Sequence, residues 1–244
     1  MRLAAPDRRK RLQIAALELF SQKGYRGTTT QAVARHAGVS EALLFRHFSS
    51  KQELYWSVLE EQCSARGGRA RLDAILGAGD DDQEMFAAIA EDLLSRNFAD
   101  PRLYRLLLFS GLESHQLSDR FFRTYISDYY ETVAAHIRGR IAAGRFRQVD
   151  PLLSARLFIG MTLHYFLVQD VFRGSQQRDF DLKVVCRTVA EIWLGGVTMN
   201  VSTIAATATP AHVTAKIPSK SEAAAAIPSK AFIRKDPAES RTTK

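Results

Sequence analysis

The 244-residue sequence predicts an all-α chain, with an N-terminal helix-turn-helix head of three helices and a helical body, about nine helices in total. Apolar residues recur at three- and four-residue spacing through most of the first 198 positions, which is the period of a helix packed on one face. Helix punctuation recurs at the breaks in that pattern: Gly after apolar runs, and Ser, Thr, Asp or Asp-Pro before them. No stretch alternates as a half-buried strand would.

The elements follow in order. Residues 1–11, with Arg2, Arg8, Arg9, Lys10 and Arg11, read as a basic arm. Leu12, Ala15, Ala16, Leu19 and Phe20 then share one helical face, and Gly24 stops that helix. Thr28, Thr29 and Thr30 offer caps for a short second helix, which Gly38 breaks. Ser40 caps a third helix, to about Phe48, and Ser49 or Ser50 a fourth that starts at Lys51 and carries Leu54, Val58 and Leu59. Residues 66–82, rich in Gly, Arg and Asp, read as a loop. Asp80–Asp82 open a fifth helix over 83–98, Asp100-Pro101 a sixth to about 116, and Ser118-Asp119 a long seventh to Ala143, closed by Gly144. Asp150-Pro151 open an eighth to about Phe172, and Asp181 a ninth to about 198. The resulting division is an arm over 1–11, a helix-turn-helix head over 12–56, a helical body over 57–198, and a tail over 199–244.

The tail changes composition to Ala, Thr, Ser, Pro and Lys and repeats Ile-Pro-Ser-Lys at 217–220 and 227–230. Such a segment has few bulky apolar groups to offset chain entropy and reads as disordered. Its basic charge has two readings: a solvated appendage, or a source of non-specific, salt-sensitive affinity for DNA. Net charge of the whole chain is +8, with a pI near 9.7, which favours anionic partners. Two cysteines, Cys63 and Cys186, fit neither a disulfide framework nor a zinc motif. The charged N-terminus lacks the apolar region of a signal peptide, and the greasiest stretch, 157–168, is short for a bilayer. The expectation is a cytoplasmic protein without a membrane partner.

The segment TTTQAVARHAGVSEALLFRHFSSK, residues 28–51, meets the demands of a helix-turn-helix. Ala34 is small where the helices touch, and Gly38 tolerates left-handed backbone at the turn. Val33, Ala37, Val39 and Leu44 are spaced to pin the helices together. The third helix would enter the major groove, presenting Ser40, Glu41, Ala42, Leu43, Phe45, Arg46 and His47. Leu43 and Phe45 suit thymine methyls or sugar edges. Glu41 has two readings: an acceptor for cytosine N4, or a charge that complements the helix dipole. Lys51 joins a cation to free N–H groups at a helix start, which suits a phosphate, although it also reads as an ordinary exposed lysine. Thr29 and Thr30 serve as phosphate contacts or as caps.

These residues resemble the TetR family of bacterial one-component regulators from about Arg9 to Leu59. The resemblance runs through Ile14-Ala-Ala-Leu-Glu-Leu-Phe20, Gly24-Tyr-Arg-Gly-Thr-Thr29, Val33-Ala34, Ala37-Gly-Val-Ser40, Leu44-Phe-Arg-His-Phe48 and Ser50-Lys51. It implies a regulator, most often a repressor, that binds a pseudo-palindromic operator as a homodimer and is released by a small effector in a ligand-sensing/dimerisation body. It also implies phosphate contacts at Thr29, Phe45, His47 and Lys51. Two positions depart from the family: Phe45 replaces a usual Tyr, and Ala32 replaces a common acidic residue, so half of a capping box is missing.

By the same resemblance the last two long helices form the dimer seam, with Leu157, Gly160, His164, Val168, Val184, Thr188 and Glu191 as its candidates; core within one subunit is the other reading. An apolar or aromatic effector would meet Phe86, Phe109, Phe122, Tyr125, Tyr129, Met161, His164 and Tyr165, which otherwise read as core. Phosphate-loop, dinucleotide, nucleophile-elbow and HExxH motifs are absent, so the sequence calls for no enzyme, no cofactor and no metal. The rival reading is a helical adaptor that has lost specific DNA binding.

Overall fold

A computed structural model describes residues 5–113 and 115–198; the expectations for residues 1–4 and for the 199–244 tail lie outside the described residues. The chain forms α1 Ala5–Lys23, α2 Thr30–His36, α3 Glu41–His47, α4 Lys51–Arg66, α5 Gly68–Leu76, α6 Asp82–Ala99, α7 Arg102–Glu113, α8 His115–Phe121, α9 Ser127–Ala142, α10 Pro151–Phe166 and α11 Leu182–Val197. Short π-helical turns follow α8 (Phe122–Ile126) and α10 (Leu167–Val171). No strand forms among the described residues; Phe146 and Thr198 make one isolated bridge. The all-α class stands.

Local chemistry sets most boundaries. The side chains of Asp81, Asp150 and Asp181 accept N–H bonds at the starts of α6, α10 and α11. Pro151 opens α10, where a missing N–H costs nothing. Three departures have physical causes. First, α1 begins at Ala5, so residues 5–11 of the expected arm are helical; Arg9 and Arg11 find carbonyl partners on α2 and α3, described below. Second, 66–82 is not a loop throughout. Gly67 turns the chain at φ +53°, and α5 follows, anchored by buried Leu72 and by Arg69 bonds to Asp73 and Asp128. Third, the long seventh helix is broken by a π-turn at 122–126. Before it, Phe121 is buried with the N-terminal helices; after it, Val133, Ala134 and Ile137 are buried in the body. One extra residue in the turn rotates the apolar face from one core to the other.

Those two cores organise the chain. One joins α5, α6, α9, α10 and α11 around Phe86, Phe158 and Trp193. The other joins α1–α4 with Leu103 and Leu106 of α7 and Leu117 and Phe121 of α8. The expected head boundary at 56 therefore falls inside α4, whose buried face runs from Leu54 through Leu59. Helices α7 and α8 complete the head's core because α1–α4 alone leave that face uncovered. Cys63 is half-buried and Cys186 buried; both thiols are pushed up to about 11 by desolvation, which makes them unreactive near neutrality.

The helical run Pro151–Val171 spans 21 residues and is long and apolar enough to cross a membrane by length and composition. It exceeds the 157–168 stretch read from the sequence. Here its inner face, including Ala155, Phe158, Ile159 and Phe166, packs in the body core.

Candidate nucleic-acid interface

Helices α2 and α3 meet at a tight turn built from the backbone. Gly38, at φ +69°, donates to Arg35 O at 3.1 Å, and Val39 donates to Ala34 O at 3.0 Å. Val33, Ala34, Ala37, Leu44 and Phe48 are buried beneath it, and Val39 is half-buried. The Arg11 guanidinium crosses from α1 to donate to Ala37 O at 2.7 Å, satisfying a carbonyl at the end of α2. Arg9 does the same for α3, donating to His47 O at 3.0 Å while lying over the Phe48 ring. The basic residues before Leu12 thus hold the motif together; Lys10 pairs with Glu61. Arg11→Met is expected to lower stability by about 1 kcal/mol, read as a drop in the urea midpoint, because a charged donor to a partly buried carbonyl is lost. An unchanged midpoint would mean water caps Ala37 equally well.

The exposed surface of α3 consists of Ala42, Phe45 and Arg46, with Leu43 and His47 half-buried beside them. Phe45 keeps 47% of its surface in solvent. Ser40 and Thr29 are exposed N-caps whose oxygens accept from Leu43 and Ala32. Each hydroxyl hydrogen stays free for an outside acceptor, so capping and phosphate contact are compatible. Glu41 accepts the Thr30 hydroxyl at 2.6 Å. That bond ties the start of α2 to the start of α3, so the two residues act as a brace.

At the start of α4, Ser50 accepts from the Glu53 N–H. Glu53 in turn accepts the Ser49 N–H at 2.6 Å and the Ser49 hydroxyl at 2.5 Å, which hold its carboxyl below the usual range. This is a variant of the box that α2 lacks, in which the N3 glutamate reaches one residue beyond the cap, to Ser49. Lys51 lies with its Nζ 4.3 Å from the centre of the Tyr25 ring. Burial lowers its pKa, and the Glu113 charge partly offsets this; burial also raises the Tyr25 hydroxyl. Exposed Arg26, Gln31 and Arg35 flank the same motif. The sequence reading missed them because it followed the face of one helix. The signal for the Arg26 loop was Gly27, where any Cβ would overlap Lys23 O.

The expected effector residues do not converge. Phe86 is fully buried in a ring cluster, its centroid 4.3 Å from that of Trp193, and fills core instead of lining an opening. Tyr125 packs on Trp56 and Phe121 in the head core. The Tyr129 hydroxyl is buried beside Arg96, and desolvation raises its pKa. Phe109 is half-buried, Phe122 is 40% exposed near Arg156, and Tyr165 accepts from Gln169. Met161 and His164 lie on the outer face of α10. A surface cleft of about 440 Å³ opens instead between α5 and α6, beside Arg71, Ile75, Glu91 and Asp92. The expected seam residues Leu157, Gly160, His164, Val168, Val184, Thr188 and Glu191 are all exposed, on α10 and its π-turn and on α11.

Comparison with known proteins gives two family matches. Residues 14–58 match the model of bacterial regulatory proteins of the tetR family, and residues 84–193 that of the AefR-like transcriptional repressor C-terminal domain. The chain is 30% identical over 170 residues to the HTH-type transcriptional regulator RutR of Escherichia coli K12, covering 66% of this chain and 75% of RutR. It is 48% identical over 58 residues to the HTH-type transcriptional regulator YvkB of Bacillus subtilis, covering 24% of this chain and only 31% of YvkB. Its fold resembles the crystal structure of the transcriptional regulator FadR from Bacillus subtilis in complex with stearoyl-CoA. The TM-score is 0.61 at 17% identity, over 77% of this chain and 98% of that one.

Proposed function

From the premise that this chain belongs to the TetR family and is a transcriptional regulator of that family, we propose that it is a repressor that binds a pseudo-palindromic operator as a homodimer. One observation carries the DNA reading: Ala42, Phe45 and Arg46 stand outward on a short helix braced at both ends, between the Thr29 cap and Lys51. A rigid exposed helix flanked by hydroxyl and cation suits a major groove edged by phosphates. The body's match to a repressor C-terminal domain supports the direction of control. Release comes from a small apolar or aromatic effector in the body; the similarly folded FadR was solved in complex with stearoyl-CoA, whose acyl chain is apolar. The protein acts in the cytoplasm, where its DNA lies.

Fluorescence anisotropy on DNA upstream of the protein's own gene, against scrambled duplex, tests this. Site preference is expected at about a thousandfold or more. The double variant Lys51→Ala, His47→Ala should lose most of it. If neither that DNA nor genome-wide selection of bound fragments reveals a preferred site, the regulator reading gives way to the adaptor.

A further inference from the structure

The C-terminal end of α7 reaches back to the DNA-facing loop. Glu113 Oε2 accepts the Arg26 N–H at 2.9 Å. The same carboxylate lies against Gly24, where a Cβ would overlap both of its oxygens. The φ of +73° favours glycine at position 24, and its missing Cβ leaves the carboxylate room to seat against the loop. Lys51, whose Nζ lies over the ring of the adjacent Tyr25, feels the Glu113 charge. Helix α7 is held elsewhere too. Tyr55 of α4 donates its hydroxyl to Leu106 O at 3.1 Å. Arg105 pairs at 3.0 Å with Asp170, in the π-turn at the end of α10.

Loop N–H groups beside a lysine at a helix start are the groups that take a DNA phosphate. In this chain an internal anion already occupies that setting. We propose that Glu113 is a built-in competitor for the DNA backbone at the corner formed by Arg26 and Lys51, so that the position of α7 sets DNA affinity. The inference rests on the DNA-binding reading above. With α7 docked, an arriving phosphate must share Lys51 and approach a second negative charge. Withdrawal of α7 removes that charge, and the Arg105–Asp170 pair ties α7 to the end of α10.

The test is Glu113→Gln, which keeps an acceptor for the Arg26 N–H and removes the charge. Affinity for operator and for non-specific duplex DNA should both rise about threefold, the scale of a partly exposed charge pair. The dependence of affinity on salt should steepen as Lys51 becomes more available. The gain should shrink in a Lys51→Ala background, which removes the shared cation and leaves only the repulsion between Glu113 and the phosphate. Unchanged or weaker binding in the Gln variant would overturn the proposal and leave Glu113 as a residue that only orders the loop. Non-specific duplex decides the matter even if no operator preference is found. In that case the regulator reading fails, while a Gln-dependent gain still supports competition and its absence overturns it. Acylation of Lys51 without DNA gives a second readout. Loss of the Glu113 charge should make Lys51 easier to deprotonate and faster to label, and an unchanged rate would mean the two groups share no field.

Discussion

Phe86→Ala is expected to lower stability by about 3–5 kcal/mol, the range for an aromatic truncated in a packed core. Phe86 is 0% exposed on α6. Its ring meets Phe158 of α10 edge-on at 5.0 Å, Trp193 of α11 at 4.3 Å, and Phe146, after α9, at 6.3 Å. Phe158 and Trp193 are fixed by their own helices, Phe146 is held by its bridge to Thr198, and Trp193 is further held by a bond from its indole N–H to Ser154 O. The space left by the ring therefore cannot close by a small local movement, and the cavity cost adds to the lost burial. Urea denaturation would read the loss as a lower midpoint. A change below about 1 kcal/mol, of the kind seen at sites without a packing role, would instead mean that the ring lines an adaptable pocket. Effector response in the same variant would then become the informative measurement.

The contrast between Phe86 and α3 shows what one sequence discloses. The head was legible because its signals are short-range. Ser40, Gly38 and the apolar spacing from Val33 to Leu44 each act within a few residues, and the backbone there follows them. Long-range pairings were not legible. Arg9 and Arg11 read as part of a basic arm, since the carbonyls they satisfy lie 38 and 26 residues away. Thr30 read as a phosphate contact or a cap and Glu41 as a base acceptor or a dipole charge, whereas their mutual bond depends on how the helices cross. Helix α5 escaped notice because a single buried leucine, Leu72, anchors it and charged pairs supply the rest. The π-turn at 122–126 leaves no compositional mark; only the change of buried face from Phe121 to Val133 reveals it.

Placing glutamate at both Leu157 and Ile192 is expected to make the protein monomeric and to weaken operator binding by about a hundredfold or more. On α10, Leu153 and Leu157 are each 57% exposed, and Gly160, Met161 and His164 continue the same stripe. On α11, Val184 and Ile192 are 57% and 62% exposed, with Gly195 exposed beyond them and no atom near its missing Cβ. A run of apolar and small residues over two adjacent helices suits close approach by another pair of helices. A two-fold axis would bring each stripe against its own copy, so two substitutions put four carboxylates into one seam. On the proposed homodimer, operator affinity would depend on that seam, because two linked heads bind their half-sites with the second contact intramolecular, which is worth about 10²–10⁴ in affinity. Non-specific binding by a single head should change little. Sedimentation velocity would report the assembly, and anisotropy on full and half operators the affinity. A variant that still sediments as a dimer would remove this stripe as the seam. A monomer that holds the full operator as tightly as the parent protein would show that the heads work singly, and the pseudo-palindromic site would then have no role in recognition.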